Sequence, residues 1–272
     1  MPRSDVCLLI PYFNAGDDLL DSLASVEAGS LRPDVWIVDD GSAKYPAASV
    51  LSSYDGALSI ELITLPANQG IEHALNAGLE RCVDQYPYIA RLDCGDRCIA
   101  DRLARQHAFM QAHPDCALLG SWANYVDPQG QPLFTSRPPV DSASIRRKIF
   151  LNSPFVHPSI LMRSRVLQDV GFYPTEYPAA EDLALFFKIV GKYRTDNLPC
   201  ALIEYIIDPD SISSRKRKTQ IRSRILLILK HYDFSLIATA GLLRGVATYC
   251  LPRRTTVFLN RLCESWQHRH SR

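Results

Sequence analysis

The sequence predicts an α/β protein in which a mostly parallel central sheet is flanked by helices and followed by a helical C-terminal appendage. First, the N-terminal part alternates short apolar runs with stretches of helical periodicity, the pattern of successive βαβ units. Second, 47% of the 272 residues are apolar, enough to fill the core of one α/β domain of ordinary size. Third, the chain changes character at residue 215: from Arg215 onward thirteen Lys and Arg face two Asp and Glu, whereas residues 1–214 hold seventeen against twenty-seven. The expected organisation is a catalytic body over 1–214 and a basic, amphipathic helical region over 215–272.

Taken in order, residues 6–10 (VCLLI), 35–38, 59–65 and 88–92 are the strand candidates of the N-terminal part. Between them Leu19, Leu20, Leu23 and Val26 recur at helical spacing, as do Ile71, Ala74, Leu75, Gly78 and Leu79. In an open parallel sheet ligands bind beyond the carboxyl ends of the strands. Here those positions read PYFN, DDGS, PANQG and DCGD, a polar rim that suits a nucleotide-sized ligand. Further on, residues 117–120, 159–162 and 202–207 read as strands and 183–190 as a helix. The proline-rich stretches SRPPV and FYPTEYP mark loops, and the specificity-bearing segments are expected at 121–140 and 172–180.

After RKRKTQIRSR the chain becomes apolar, and residues 236–251 carry a single charge, Arg244. These sixteen residues fall short of the roughly 20 that a membrane-spanning helix needs. Basic flanks favour helices lying among anionic lipid headgroups, with packing on the catalytic body as the alternative. Eight cysteines occur without a Cys-x-x-Cys pair, mostly inside apolar runs, which reads as reduced cysteines of a cytosolic protein and speaks against structural zinc. The first strand-like run begins almost at once, so no signal peptide is expected and the body is placed in the cytoplasm.

Four constellations carry chemistry. In VDDGS, Asp39 and Asp40 end a β-branched strand, where a carboxylate accepts hydrogen bonds from a ligand or caps a turn. In NQGIEHALNAGL, Asn68 and Gly70 stand at a loop-to-helix entry, where free N–H groups and the helix dipole favour a diphosphate. In RLDCGD, Asp93 and Asp96 present carboxylates to one hard divalent cation, Mn²⁺ or Mg²⁺; helix capping by Asp96 is the other reading. Glu181 and Asp182 open an apolar helix, and the residues alone leave dipole-favoured acids and a general base equally open.

The order IPYFN, VDDGS, NQGIEHALNAGL, RLDCGD, HPSILMR, EDLALFFKI and a later SIS segment resembles the family 2 glycosyltransferases, inverting enzymes of the GT-A fold, over about residues 5–215. The likeness is greatest to bacterial members that build lipopolysaccharide O-antigen, capsule or exopolysaccharide. It implies donor contacts from Pro11, Tyr12, Asn14, Asp39, Asp40, Asn68, Gly70, Arg91 and Asp93, with the metal on Asp93 and Asp96 and the general base at Asp182. His157, in NSPFVHPSILMR, matches the acceptor-lining stretch, and a structural, hydrogen-bonded His is the competing reading. Glu181, Ser213, Arg215 and Arg217 are the further candidates for acceptor or diphosphate contact. Gly95 stands where the family commonly has an additional acid, which makes metal dependence the point on which this chain departs.

The resemblance implies transfer from a nucleotide sugar, a UDP-hexose or UDP-N-acetylhexosamine, to a polyprenyl-diphosphate-linked glycan at the cytoplasmic face of the inner membrane. The alternatives are a nucleotide-sugar-binding protein without transfer, for which Gly95 speaks, and a nucleic-acid-binding tail. No nucleic acid is expected as a partner, because the tail lacks the regularly interleaved aromatics of a single-strand platform.

Overall fold

The computed structural model describes residues 4–207 and 217–250. A nine-stranded sheet runs through the molecule in the order β3-β2-β1-β4-β8-β6-β9-β5, with β7 added to β6. Strands β1 (Val6–Tyr12), β2 (Asp34–Asp39), β3 (Ser59–Thr64) and β4 (Tyr88–Arg91) form the parallel half expected from the sequence. The other half is mixed: β6 (Cys116–Val126) runs parallel to β9 (Arg194–Ile206), while β8 (Leu161–Arg163), β7 (Pro132–Ser136) and β5 (Arg97–Cys98) pair antiparallel.

Strand β1 is central and buried on both faces, and its side chains divide by parity. Cys7 and Leu9 join one core, whereas Val6, Leu8, Ile10 and Tyr12 join the other. The strand continues through Pro11 because β4 pairs only as far as Leu9, so the missing N–H faces a side with no ladder to complete. The Val6–Leu8–Ile10 core is covered by α1 (Asp18–Glu27), α2 (Ala47–Leu51) and α4 (Arg102–Ala112). The Cys7–Leu9 core is covered by α3 (Ile71–Cys82), α5 (Ser142–Lys148), α6 (Ser164–Val170) and α7 (Glu181–Lys192).

Helix α3 buries Ala74, Leu75, Gly78, Leu79 and Cys82 and lies so close to the sheet that a Cβ on Gly78 would stand 2.3 Å from Leu9 Cδ1. Residues 121–136, expected as loop, form most of a β6–β7 hairpin. Its turn is built by Asp127, whose carboxylate accepts the N–H groups of Gln129 (2.9 Å) and Gln131 (2.8 Å).

The last described elements, α8 (Arg217–Lys230) and α9 (Leu236–Cys250), pack against each other and on the body. Leu227, Ile228 and Ala238 are buried in the Cys7–Leu9 core, and His231 stacks on Phe187 at 4.8 Å. Gly241 and Gly245 permit this approach: a Cβ would lie 2.2 Å from Phe150 O at the first and 2.9 Å from Ile225 Cγ1 at the second. The outer side of the hairpin keeps Leu226, Leu229, Phe234, Leu236, Leu243, Val246 and Tyr249 exposed. Among the described residues no helix is long and apolar enough to cross a membrane.

Candidate active site

The carboxyl ends of β1, β2 and β4 open on the same rim, and the loops leaving them are tied together by side-chain to backbone bonds. Tyr12 is buried, its hydroxyl donating to Tyr45 O (2.6 Å) and accepting from Gly16 N (3.0 Å); burial raises its pKa. Pro11 precedes it, half-buried. Asn14 adopts φ 50°, and its Oδ1 accepts from Lys44 N (2.8 Å) and Tyr45 N (3.2 Å). The PYFN and DDGS loops thereby form one wall.

Both VDDGS carboxylates are buried and hold backbone. Asp39 accepts from Ser42 N (2.9 Å) and Ala47 N (2.8 Å); Asp40 accepts from Gln69 N (2.8 Å) and Gly70 N (2.9 Å). Asp40 therefore fixes the entry to α3, where Gly70 takes φ 105° and Asn68 is exposed. Gly41, at φ 68°, has room for no Cβ, which would fall 2.5 Å from the Ala67 backbone. In this geometry the two aspartates shape this wall of the rim, and the groups left accessible there are the backbone and side chains they position.

The RLDCGD turn places a cation and two carboxylates together. Arg91 is 2% exposed and forks onto Asp93, with Nη1 to Oδ2 at 3.0 Å and Nη2 on Oδ1. Burial is the largest single influence on Arg91 and pulls its pKa down, but the charge and hydrogen bond of Asp93, with Tyr173 and Asp96, together outweigh it and the net direction is upward. Asp96 is 3% exposed; Oδ1 accepts from Ile206 N (3.0 Å), while Oδ2 is buried without a hydrogen-bond partner. Burial first, and the Asp93 charge second, hold the Asp96 carboxyl well above the ordinary range. Helix α4 begins at Arg102, after Asp101, so Asp96 is not its cap. Gly95 sits at φ 98° with its N–H on Ser22 Oγ (2.9 Å), leaving the turn tight.

Beneath the turn lies Arg102, 1% exposed, donating from Nη2 to Arg91 O (2.8 Å) and Ile160 O (3.2 Å) and from Nε to Gln106 (3.0 Å). Nothing local in the sequence marked it, since an Arg in the first turn of a helix ordinarily faces solvent. Burial lowers its pKa.

The opposite wall comes from residues 157–182. His157 opens a 3₁₀ turn, and its Nε2 lies 2.8 Å from the Tyr173 hydroxyl; burial, then Arg91, depress its pKa well below the usual value, so it is neutral. Tyr173, from the FYPTEYP loop, is fixed by a reciprocal pair with Asn76: its N–H donates to Oδ1 (3.0 Å) and its carbonyl accepts from Nδ2 (2.9 Å). Asp182 is half-buried at the start of α7 with Oδ1 accepting its neighbour Leu183 N (2.6 Å), and Glu181 is buried with Oε2 unpartnered. Burial raises both carboxyls, against the pull of Arg91, and Glu181 is raised further by Asp182.

Arg91 and Tyr173 thus lie within electrostatic reach of Asp93, Glu181 and Asp182, His157 joins them through Arg91 and the Tyr173 hydroxyl, and Tyr173 is the member that sequence reasoning missed. Arg217 is elsewhere, donating to Thr248 O (3.2 Å) at the end of α9. Ser213 and Arg215 lie outside the described residues. Among the described residues no group of three or more His, Cys, Asp or Glu gathers to hold a metal. The pair that fits one is Asp96, with its unpartnered buried oxygen, and Asp93 beside it.

The glycosyl transferase family 2 model matches residues 7–171, more than half the chain. The chain belongs to glycosyl transferase family 2. It is 26% identical over 253 residues to the amylovoran biosynthesis glycosyltransferase AmsE of Erwinia amylovora, covering 91% of this chain and 92% of the relative. It is 28% identical over 237 residues to the UDP-Gal:α-D-GlcNAc-diphosphoundecaprenol β-1,3-galactosyltransferase of Escherichia coli, covering 86% and 83%. Among solved structures, S. aureus TarS 1–349 in complex with UDP-GlcNAc superposes with a TM-score of 0.68 at 19% identity, over 90% of this chain and 72% of that one. The mannosyltransferase PcManGT of Pyrobaculum calidifontis, in complex with GDP-Man and Mn²⁺, gives 0.64 at 14% identity over 96% and 80%. The fold of this glycosyltransferase is therefore GT-A, a mixed sheet flanked by helices.

Proposed function

We propose that this enzyme transfers a sugar, with inversion, from a UDP-hexose or UDP-N-acetylhexosamine to a hydroxyl of a polyprenyl-diphosphate-linked saccharide in the assembly of a cell-surface polysaccharide. The observation that carries the reading is Asp182: a carboxylate of raised pKa, oriented at a helix start and within electrostatic reach of the Arg91–Asp93 pair. An acceptor hydroxyl approaching from the α7 side loses its proton to Asp182 as its oxygen bonds to the anomeric carbon, while the bond to the diphosphate breaks on the opposite face. Asp40 and Gly70 shape the donor-side wall, and neutral His157 with Tyr173 belongs to the opposite wall that carries Asp182. Asp93 and Asp96 would hold a divalent cation, completed by diphosphate oxygens and water, and that ion would supply charge neutralisation at the leaving group.

The relative named for UDP-Gal and for diphosphoundecaprenol-linked GlcNAc supports the donor and acceptor classes. Membrane association at the cytoplasmic face is part of the same proposal. It is supported by the exposed apolar side chains of the α8–α9 hairpin beside exposed Lys218, Arg222, Lys230 and Arg244, a pairing that suits an anionic lipid surface.

Transfer is tested with a panel of UDP-sugars and diphospholipid-linked GlcNAc, with the product's anomeric configuration read by NMR. Asp182→Asn is expected to lower kcat by roughly 10²–10⁴-fold while donor binding persists. A retained donor configuration, or an Asp182→Asn variant keeping more than about a tenth of the activity, would overturn the reading.

A further inference from the structure

Helix α7 begins without a side chain to cap it. Its N-cap residue is Ala180, which has nothing to offer the first-turn N–H groups. Asp182 accepts from its own neighbour Leu183, Glu181 Oε2 is unpartnered, and among the described residues no side chain of another element bonds to either acid. The direction of both carboxylates is therefore set by the backbone that enters the helix. That entry is a strained turn: Ala180 N donates to Tyr177 O at 3.0 Å, Pro178 follows Tyr177, and Ala179 takes φ 59°. A turn with Pro second and positive φ third has the pattern of type II, whose third place calls for Gly or Asn because a Cβ is disfavoured there. An alanine stays at that φ only while its surroundings hold it.

The C-terminal hairpin supplies the hold. Ser223 of α8 is 3% exposed and donates from Oγ to Pro178 O at 2.9 Å. That carbonyl belongs to the central peptide of the turn, the one whose flip converts type II to type I and returns the third residue to negative φ. At the end of the same helix the Lys230 ammonium lies 5.5 Å from the centre of the Tyr177 ring, and the next residue, His231, stacks on Phe187 at 4.8 Å. The hairpin thus grips the chain at Tyr177 and Pro178 before the acids and at Phe187 after them.

We propose that Ser223 is a positioning residue for transfer: by holding the Pro178 carbonyl it keeps Ala179 in its strained conformation and so aims the first turn of α7, with Asp182, at the acceptor hydroxyl. Without that bond the 178–179 peptide flips, Ala179 relaxes, and the start of α7 turns away from the Arg91–Asp93 pair. A displacement of the order of 1 Å at a reacting group costs about a hundred-fold in rate, so one hydroxyl outside the site controls the chemical step. The inference rests on the reading of Asp182 as the general base.

The test compares the full chain with Ser223→Ala and with the double variant Ser223→Ala, Ala179→Gly, in transfer from a panel of UDP-sugars to diphospholipid-linked GlcNAc. Ser223→Ala is expected to lower kcat at least roughly ten-fold while the donor KM and the UDP-induced thermal shift stay as they are. Glycine takes positive φ without strain, so the double variant is expected to recover at least about three-fold of that loss, which a merely structural serine does not predict. Hydrogen exchange at the amides of residues 180–184 gives a readout that needs no acceptor: it is expected to quicken in Ser223→Ala and to slow again in the double variant. A kcat within about two-fold of the unaltered chain, unchanged exchange, a lost UDP shift in Ser223→Ala, or no recovery on adding Ala179→Gly overturns the proposal. Activity kept in Asp182→Asn counts against the base itself, whereas activity kept in Ser223→Ala but lost in Asp182→Asn counts against Ser223 alone.

Discussion

Asp96→Asn separates stability from ion binding. In the folded chain Asp96 Oδ1 accepts the Ile206 N–H at 3.0 Å, while Oδ2 is buried and unpartnered beside a second carboxylate. Asparagine keeps the shape and the Ile206 bond and replaces an ionisable carboxyl, whose charged form burial and Asp93 both oppose, with a neutral amide. Desolvation of an imperfectly paired buried group costs about 1–3 kcal/mol, so removing the carboxylate that burial and Asp93 oppose is expected to stabilise the metal-free protein by about that amount. For a chain of this size each kcal/mol moves Tm by about 2–4 °C, which gives a rise of roughly 2–12 °C in a thermal melt in EDTA. The same variant loses the Mn²⁺-induced rise in Tm, because the oxygen that fits the ion is gone. A lower Tm in EDTA, or an undiminished Mn²⁺ shift, refutes the argument that Asp96 is a carboxylate held for a cation.

Glu181 is pushed up to about 8, by burial first and the Asp182 charge second, and Asp182 is raised as well. The folded chain then holds protons that the unfolded chain releases above its ordinary value of 4.5, so this contribution is full below that pH and is lost as pH rises toward 8. Tm measured from pH 5 to 9 is expected to fall, and Glu181→Gln to flatten the fall; an unchanged slope in the variant removes Glu181 as its source. Gly41→Ala forces a side chain into φ 68° and onto the Ala67 backbone at 2.5 Å, so urea unfolding is expected to show a loss of at least about 2 kcal/mol; an unmoved midpoint counts against the tight DDGS wall. Leu243→Ser with Val246→Ser removes two exposed apolar side chains from α9 and is expected to weaken sedimentation with anionic vesicles while leaving the UDP-induced thermal shift intact; undiminished sedimentation removes this face as the membrane contact.

The parallel half was legible because its strands are buried on two faces and leave continuous apolar runs, as in VCLLI, bounded by turn-forming acids. The β6–β7 hairpin was not, because its outer strand carries Pro132 and half-exposed polar residues and shows no apolar run. Its turn signal, Asp127 with Gly130, reads equally as a loop. The acids of the site were visible because strand ends expose them in order along the chain. Their roles divide only in three dimensions: Asp39 and Asp40 spend their oxygens on backbone N–H groups, whereas Asp96 keeps one oxygen free of any partner. Tyr173 and Arg102 escaped notice for the same reason. What makes them part of the site is a contact to Asn76 and His157, or to Arg91 and Ile160, far away in sequence.

The C-terminal hairpin and the site share one helix. Helix α7 begins with Glu181 and Asp182 and, at Phe187, stacks on His231 of the α8–α9 connection. Ser223 of α8 donates to Pro178 O at 2.9 Å, three residues before Glu181, so the loop that presents the acids is braced by the hairpin itself. The side of that hairpin turned to solvent carries the exposed leucines and basic residues, and the side turned inward carries Leu227, Ile228 and Ala238 in the core. A surface bound by the outer side therefore stands at a fixed distance from the Asp182 carboxylate. A lipid-linked acceptor needs that arrangement, because its reactive hydroxyl is tethered within one or a few sugars of the headgroup plane.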